Sequence, residues 1–353
     1  MRKVLTVFTA FLGTAVLLAG CASQAQTPAA QEGGEQSGLQ IALITTAAGL
    51  GDEAWNDTNY NGVRKYADEH GIELTLVEPA EMQDITNSAS LLGQKGYDLI
   101  FISENTASEY MADIADQYPD TMFVLPEGWI TDRENVVSIV FSNNEVGFVC
   151  GAYAALMNEY LGGGSDPGWV GGIRNPILQQ TEYSTLAGAK YVGGNLNVVY
   201  LGSYSDIPKA KEVAYGMYNE GSSIVAAYAG AASSGVYQAA EAFDSGKYAM
   251  GCATGQFHIS PERIIASNVK SIDTVNYDIC REFAEGTLKS GEYRATLENG
   301  GVSLRYSPNE QLDQLIPQDI KDQIEEIAQK VNSGEIVPPM TEEQYSVFLS
   351  TLK

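Results

Sequence analysis

Histidine is nearly absent from this chain: there are two in 353 residues, His70 and His258. No Ser-His-Asp order, Gly-x-Ser-x-Gly elbow or His-Glu-x-x-His run occurs, so the usual signatures of nucleophilic and zinc-dependent hydrolysis are missing. Cysteine is scarce too. The four are Cys21, Cys150, Cys252 and Cys280. None is paired at metal-ligand spacing, and the last three are an odd number, so neither a disulfide framework nor a zinc site is expected. Those three read as small core residues. Positive charge is also in short supply, with 20 Lys and Arg against 45 Asp and Glu, a net charge of −25. An acidic body without a basic stripe is repelled by phosphate backbones, which argues against a nucleic-acid partner. Gly162-Gly163-Gly164 follows a helical pattern and lacks the Lys-Ser/Thr of a phosphate-binding loop, so it reads as a turn. With no motif for catalysis, metal or cofactor, the chain reads as a binding protein rather than an enzyme.

No long hydrophobic run is present either, but there is a short one. Arg2 and Lys3 precede Val4–Leu18, which is apolar apart from Thr6, Thr9, Gly13 and Thr14. It is too short to span a bilayer with ease and ends at small residues, the pattern of an export signal. The run closes on Leu18-Ala19-Gly20-Cys21. This resembles the bacterial lipobox, in which the cysteine is acylated and becomes the new N-terminus. Two or three acyl chains hold a protein stably on a membrane. Residues 1–20 are therefore expected to be a lipoprotein signal peptide, and Cys21 the lipidation site. Residues 21–38, rich in Ala, Gln, Gly, Glu and Pro, read as a flexible tether. The mature body would sit on the extracytoplasmic face of a bacterial membrane. Losing Arg2 and Lys3 with the leader takes its charge from −25 to −27. Its 333 residues (353 less 20) are comfortable for two lobes.

Beyond the tether the chain alternates between two textures. Short apolar runs predict strands at Leu39–Thr45, Leu74–Val77, Asp98–Ser103, Met122–Leu125 and Val136–Phe141. Five more are predicted at Trp169–Ile173, Asn197–Tyr204, Ser223–Ala229, Tyr248–Ala253 and Arg263–Ala266. Helical patterns lie between most of them, as at Thr58–His70, Ala107–Gln117, Ser142–Tyr160 and Lys209–Asn219. This is the texture of βαβ units and buried parallel sheets. Ten strands favour two sheets over one. Near the C-terminus, Ile320, Ile324, Ile327 and Val331 recur at helical spacing, and Asn332-Ser333-Gly334 stops that helix.

In open α/β sheets ligands sit beyond the carboxyl ends of the strands. The segments there carry Trp55, Asn56, Glu104, Glu127, Trp129, Tyr237 and Gln256, a set suited to a flat, hydrogen-bonding small molecule. Each also has a plainer reading. Asp52 and Asn56 suit the cap of the following helix. Glu104 is either a polar contact or a rim residue, Glu127 could be a solvated loop carboxylate, and Tyr237 could belong to a core. Trp129 could pack against a hinge.

At this point the chain is similar to the basic membrane lipoprotein family of ABC-transporter solute receptors, from about Ile41 to Pro338. The markers include Gly96-Tyr97-Asp98-Leu99-Ile100, Tyr118-Pro119-Asp120-Thr121 and Glu145-Val146-Gly147-Phe148-Val149-Cys150-Gly151. Further markers are Gly168-Trp169-Val170-Gly171-Gly172, Tyr200-Leu201-Gly202-Ser203-Tyr204-Ser205-Asp206 and Val269-Lys270-Ser271-Ile272-Asp273. The resemblance implies an α/β, two-lobed periplasmic-binding-protein (type I) fold. Each lobe would be a mostly parallel sheet flanked by helices, with three interlobe crossings. The implied lobe 1 is 39–142 with 269–297, and lobe 2 is 143–268 with 298–353. The implied function is a membrane-anchored receptor, monomeric, that delivers a nucleoside or related heterocycle to an ABC permease. A flavin-binding branch makes a riboflavin-like ligand the alternative. A sensory lipoprotein with a partner other than a permease would share the fold.

The resemblance places Asp52, Trp55 and Asn56 where the family has an Asp, a base-stacking aromatic and an Asn, with Trp in place of the usual Phe. Glu127 stands where a family Asp meets the base. Tyr237 matches an aromatic, and Lys270 a Lys that helps hold a ribose hydroxyl. Gly251-Cys252-Ala253-Thr254-Gly255-Gln256 departs from Gly-Val-Asp-x-Asp-Gln, in which the first Asp grips ribose. Gly251 is retained, while Ala253 accepts no hydrogen bond through its side chain.

Overall fold

The computed structural model describes residues 38–51 and 55–352. The leader, Cys21, the tether up to Ser37, and Asp52 lie outside the described residues. In chain order the first lobe begins with β1 (Ile41–Ile44), α1 (Trp55–His70), β2 (Leu74–Val77) and α2 (Met82–Gln94). It continues with β3 (Leu99–Ile102), α3 (Ser108–Gln117), β4 (Met122–Pro126) and β5 (Val136–Phe141). The second lobe follows with α4 (Asn143–Tyr160), β6 (Gly168–Gly171), α5 (Pro176–Tyr191), β7 (Asn197–Tyr200) and α6 (Ile207–Asn219). Then come β8 (Ile224–Tyr228), α7 (Ser233–Glu241), β9 (Tyr248–Ala253) and β10 (Ile264–Lys270). The chain returns to the first lobe for α8 (Ile272–Ala284) and β11 (Gly291–Ala295). It ends in the second with β12 (Val302–Tyr306), α9 (Glu310–Gln314), α10 (Gln318–Asn332) and α11 (Glu342–Thr351).

Two six-stranded sheets result, in the orders β11-β5-β4-β3-β1-β2 and β12-β10-β9-β8-β6-β7. The two orders match position by position, so the lobes repeat one topology. Every pairing in the first sheet is parallel. In the second only β12 runs antiparallel, against β10. Helices cover both faces, so the central strands are apolar on both sides: β1 (IALI) and β3 (LIFI) are buried throughout. β11 and β12, which form one edge of each sheet, were not among the expected ten. Glu292 and Arg294 in β11 and Arg305 in β12 are exposed, so neither segment reads as a continuous apolar run.

Three segments cross between lobes. β5 passes to α4 at Ser142, β10 passes to α8 at Ser271, and residues 296–301 join β11 to β12. Backbone hydrogen bonds tie them together: Ser142 N–H donates to Ala295 O at 2.8 Å, and Ser271 N–H to Gly301 O at 2.9 Å. The third crossing is a tight turn in which Asn299 Oδ1 accepts from Thr296 N and Gly301 N. Val269 and Lys270, placed with the first lobe by the expected boundary, are the last two residues of β10. The strand expected to run to Tyr204 ends at Tyr200, because Gly202 adopts φ 76° and turns the chain out of the sheet.

Packing explains the local sequence. α4 is apolar nearly all round and lies against α5. A Cβ at Gly151 would stand 1.9 Å from Thr185 O, and one at Gly188 would stand 1.8 Å from Phe148 O. Only glycine allows the two backbones that close. In α10, Ile320, Ile324, Ile327 and Val331 are the buried stripe read from the sequence, each contributing about 1.5–3 kcal/mol of apolar burial. Gly334, at φ 76°, ends it as expected, with its N–H on Val331 O. Among the described residues no helix is long and apolar enough to cross a membrane.

Candidate functional site

Because both sheet faces are covered, polar chemistry collects at the carboxyl ends of the strands. Along the first sheet these ends present Ser142 after β5, Glu127 after β4, Ser103 after β3 and Thr45 after β1. Neighbouring strands lie roughly 5 Å apart, so Glu127 sits between Ser142 and Ser103. Along the second sheet the corresponding ends present Lys270, then Ala253 and Thr254, then Ala229, then Gly172.

The two edges meet at Glu127 and Lys270. Their carboxylate and ammonium form an ion pair between the lobes, each side chain 15% exposed. The ammonium also lies 5.6 Å from the centre of the Phe141 ring, at the end of β5, a cation–π contact. Lys270 and Glu127 thus sit beside the first two crossings and hold the lobes there.

Three non-glycine residues among those described adopt positive φ, and all three belong to these edges: Glu127 (57°), Ala253 (65°) and Gln256 (56°). Glu127 and Ala253 occupy matching places in the repeated topology, at the ends of β4 and β9. Such conformations cost about 1–3 kcal/mol each and persist only where the surroundings hold them. Glu127 is held by its own N–H on Ile139 O at 2.8 Å and by the Lys270 pair. Gln256 is held by Tyr237, whose hydroxyl donates to Gln256 Oε1 at 2.6 Å. Near them, burial pushes the Cys252 thiol up to about 11, with Lys270 pulling the other way. The thiol is therefore protonated and unreactive at neutral pH. Ser103, Ser142, Thr254 and Ser267 carry buried hydroxyl oxygens with no hydrogen-bond partner among the described residues. The first three lie at strand ends, and Ser267 faces the β9 end, its Oγ 2.8 Å from where a Cβ of Gly251 would be.

The expected site residues divide into groups. Trp55 opens α1 half-buried, packed against the core, and its indole Nε1 donates to Ser103 O, just past β3, at 2.6 Å. Glu127 and Lys270 come together directly. Asn56 is 1% exposed and clamps the loop after β1, accepting from Thr46 N and donating to Thr46 Oγ1, both at 2.9 Å. Glu104 caps the helical turn at Asn105–Ala107, accepting from Thr106 N and Thr106 Oγ1. Gly251 is buried on β9, where a Cβ would come 2.8 Å from Gly255 O. Tyr237 shows the plainer of its two readings in this structure. At 1% exposure it belongs to the core between α7 and its sheet. With its hydroxyl on Gln256, it supports the loop after β9. Trp129 is 53% exposed.

Two repeated α/β lobes, three tied crossings and polar strand ends meeting across an interlobe cleft define a two-lobed solute-binding protein of the type I periplasmic-binding fold. The chain belongs to the Bmp family, described as ABC transporter substrate-binding protein PnrA-like, which matches residues 39–341. It is 27% identical over 325 residues to the ABC transporter nucleoside-binding protein BmpA of Lactococcus lactis subsp. cremoris, covering 86% of this chain and 91% of that one. It is also 27% identical to basic membrane protein A of Borreliella afzelii, covering 90% of this chain and 96% of the relative. Among solved structures, an ABC transporter solute-binding protein from Aeropyrum pernix K1 superposes with a TM-score of 0.75. It is 23% identical, covering 89% of this chain and 97% of the other.

The interlobe pair generates one prediction. Lys270→Met keeps the stem against Phe141 but leaves Glu127 without its partner. Removing one member of a buried pair costs about 3–5 kcal/mol, and partial exposure reduces this to roughly 1–2 kcal/mol. Urea denaturation of the unliganded protein should show a midpoint lowered accordingly; an unchanged midpoint would mean that the pair adds no stability between the lobes.

Proposed function

We propose that this ABC-system substrate-binding protein is anchored through Cys21 to the outer face of a bacterial membrane and delivers a nucleoside or closely related heterocycle to its permease. The observation that carries this reading is Trp55. Its indole is fixed by the bond to Ser103 O at the edge of the cleft, an oriented flat face beside unpartnered hydroxyls and the Glu127–Lys270 pair. A flat ring bearing hydrogen-bonding groups matches that surface. The nucleoside-binding relative in Lactococcus supports the same ligand class. A ligand contacting both lobes favours the closed arrangement, and the permease then reads closure.

A second reading, a heterocycle without the usual ribose grip, is favoured by one residue. Ala253, at φ 65°, offers no side-chain acceptor where the family pattern has Asp.

Mass spectrometry of small molecules that co-purify with the mature chain would identify the ligand directly. Recovery of peptides or simple sugars alone would overturn the heterocycle reading. Trp55→Ala should weaken binding about ten- to hundredfold, since stacking on a base is worth roughly 1–3 kcal/mol, while Trp55→Phe should keep most of the affinity. Calorimetry with adenosine, guanosine, inosine and riboflavin makes the measurement. Unchanged affinity in Trp55→Ala, with circular dichroism intact, would place the ligand elsewhere.

The ribose question has its own variant. Asp tolerates the left-handed conformation better than Ala does, so Ala253→Asp should fold. For a ribonucleoside held by its hydroxyls, the added acceptor should tighten binding by about 1.5–3 kcal/mol. Weaker nucleoside binding in the same calorimetry would favour the second reading.

Anchoring is tested by cell fractionation. Cys21→Ser should release the protein from the membrane or leave its leader uncleaved. A processed variant that still pellets with membranes would refute the anchor.

A further inference from the structure

One helix contact in the first lobe carries polar side chains with no water to meet. α1 lies against α8, and the two backbones come close: a Cβ at Gly62 would stand 2.2 Å from Asp273 O. Three residues from each of these positions are Asn59 and Asn276, both 0% exposed. Asn276 Nδ2 donates to Asn59 Oδ1 at 2.9 Å and to Asn59 O at 3.2 Å. Asn59 Nδ2 donates in turn to Trp55 O at 2.9 Å. A chain of two amides therefore runs from α8 to the first residue of α1, and that residue is Trp55.

As packing alone, this arrangement is costly. Asn276 Oδ1 is buried with no hydrogen-bond partner among the described residues, and a bare buried acceptor forfeits its hydration. The helices do not depend on the amides for a core, since Val63, Tyr66, Val275 and Ile279 share one and are buried. What a polar pair adds is register. Apolar side chains pack in several alignments, whereas two amides bond only where donor meets acceptor. Asn59 stands one turn from Trp55 on the same helix face, so the pair fixes the start of α1. α8 in turn begins directly after the second crossing, where Ser271 N–H is bonded to Gly301 O. A second tie joins the helices at the far end of α1, where the Tyr277 hydroxyl donates to Glu69 Oε2 at 2.7 Å. Glu69 is about 21 Å along the helix from Trp55.

We propose that Asn59 and Asn276 are positioning residues, which register α1 against α8 and so fix where Trp55 stands relative to the crossings. This deepens the heterocycle reading and rests on it. Trp55 is held at two points, by its backbone carbonyl through the amide pair and by its indole on Ser103 O. A side chain fixed at both ends loses little freedom on binding. The buried amides touch no ligand themselves. They act on recognition through the placement of the ring, and the free energy spent on the bare Asn276 oxygen is the cost of that placement.

The test uses the mature full chain and three measurements: thermal unfolding without ligand, acrylamide quenching of Trp55, and calorimetry with adenosine, guanosine, inosine and riboflavin. The Trp55 share of the quenching is the difference between each protein and its Trp55→Phe counterpart. The double variant Asn59→Leu, Asn276→Leu removes both amides and keeps their bulk, so its unfolding temperature should hold or rise. Its Trp55 should nevertheless become more accessible to acrylamide, and each probe that binds the parent protein should bind about fivefold or more weakly. Tyr277→Phe cuts the tie at the far end of α1 and should leave quenching unchanged and affinity within about twofold. A merely structural role would move the unfolding temperature without separating the two proteins in affinity. If the double variant does not fold, Asn276→Ala, whose cavity gives a water access to Asn59, supplies the same comparison. Parent-like affinity in the folded variant, or an equal loss in Tyr277→Phe, would overturn the positioning role; weakened binding in Trp55→Ala would still leave the heterocycle reading standing. If none of the four probes binds the parent protein, that reading falls, and the quenching alone decides the pair: parent-like quenching overturns it.

Discussion

The constraint on which the rest depends is the double covering of two parallel sheets. A parallel strand with helices on both faces has no solvated side on which to carry polar groups. Its sequence becomes apolar throughout, as in β1 and β3, and its chemistry is displaced to the strand ends. Glu127, Lys270, Ser103, Ser142 and Thr254 are all found there, and so are the three non-glycine residues with positive φ. Among the described residues, the strained non-glycine backbone is therefore confined to the part of the fold that has freedom to hold it.

Legibility in the sequence follows the same division. Ten strands were readable as short apolar runs, eight of them internal, where double burial keeps the run apolar, and α10 was readable because one buried stripe and one glycine stop define it. The edge strands β11 and β12 were not, since half-exposed strands admit Glu292, Arg294 and Arg305. Trp55 could be located from its place after β1. The roles of the polar candidates were harder to read, because capping and ligand contact use the same residue types. Asn56 clamps the loop and Glu104 caps a turn. Tyr237 was placed by local likeness to a motif, but its helix turns the ring inward, a fact of three dimensions with no local signature.

The supporting residues explain why the edges are stable enough to be useful. Tyr237, Asn175 and Asn56 each hold a strand-end segment in place. They fix, respectively, the loop after β9, the ring of Tyr204 and the loop after β1. Each converts an exposed strand-end segment into a rigid one by hydrogen bonding from a side chain anchored in a helix or at its cap. Rigid support behind a polar edge is what lets recognition depend on small differences in ligand shape.

The tie between the crossings has a mechanical consequence. Ser142 is bonded to the end of β11 and Ser271 to the start of β12, so the first two crossings are both laced to the third. A hinge of three separate strings would let the lobes twist, slide and rock independently. Lacing the three together opposes sliding of one past another and favours rotation about their common line. A joint of this kind has one easy direction of bending, so a change in the angle between the lobes carries most of what the rest of the molecule could signal.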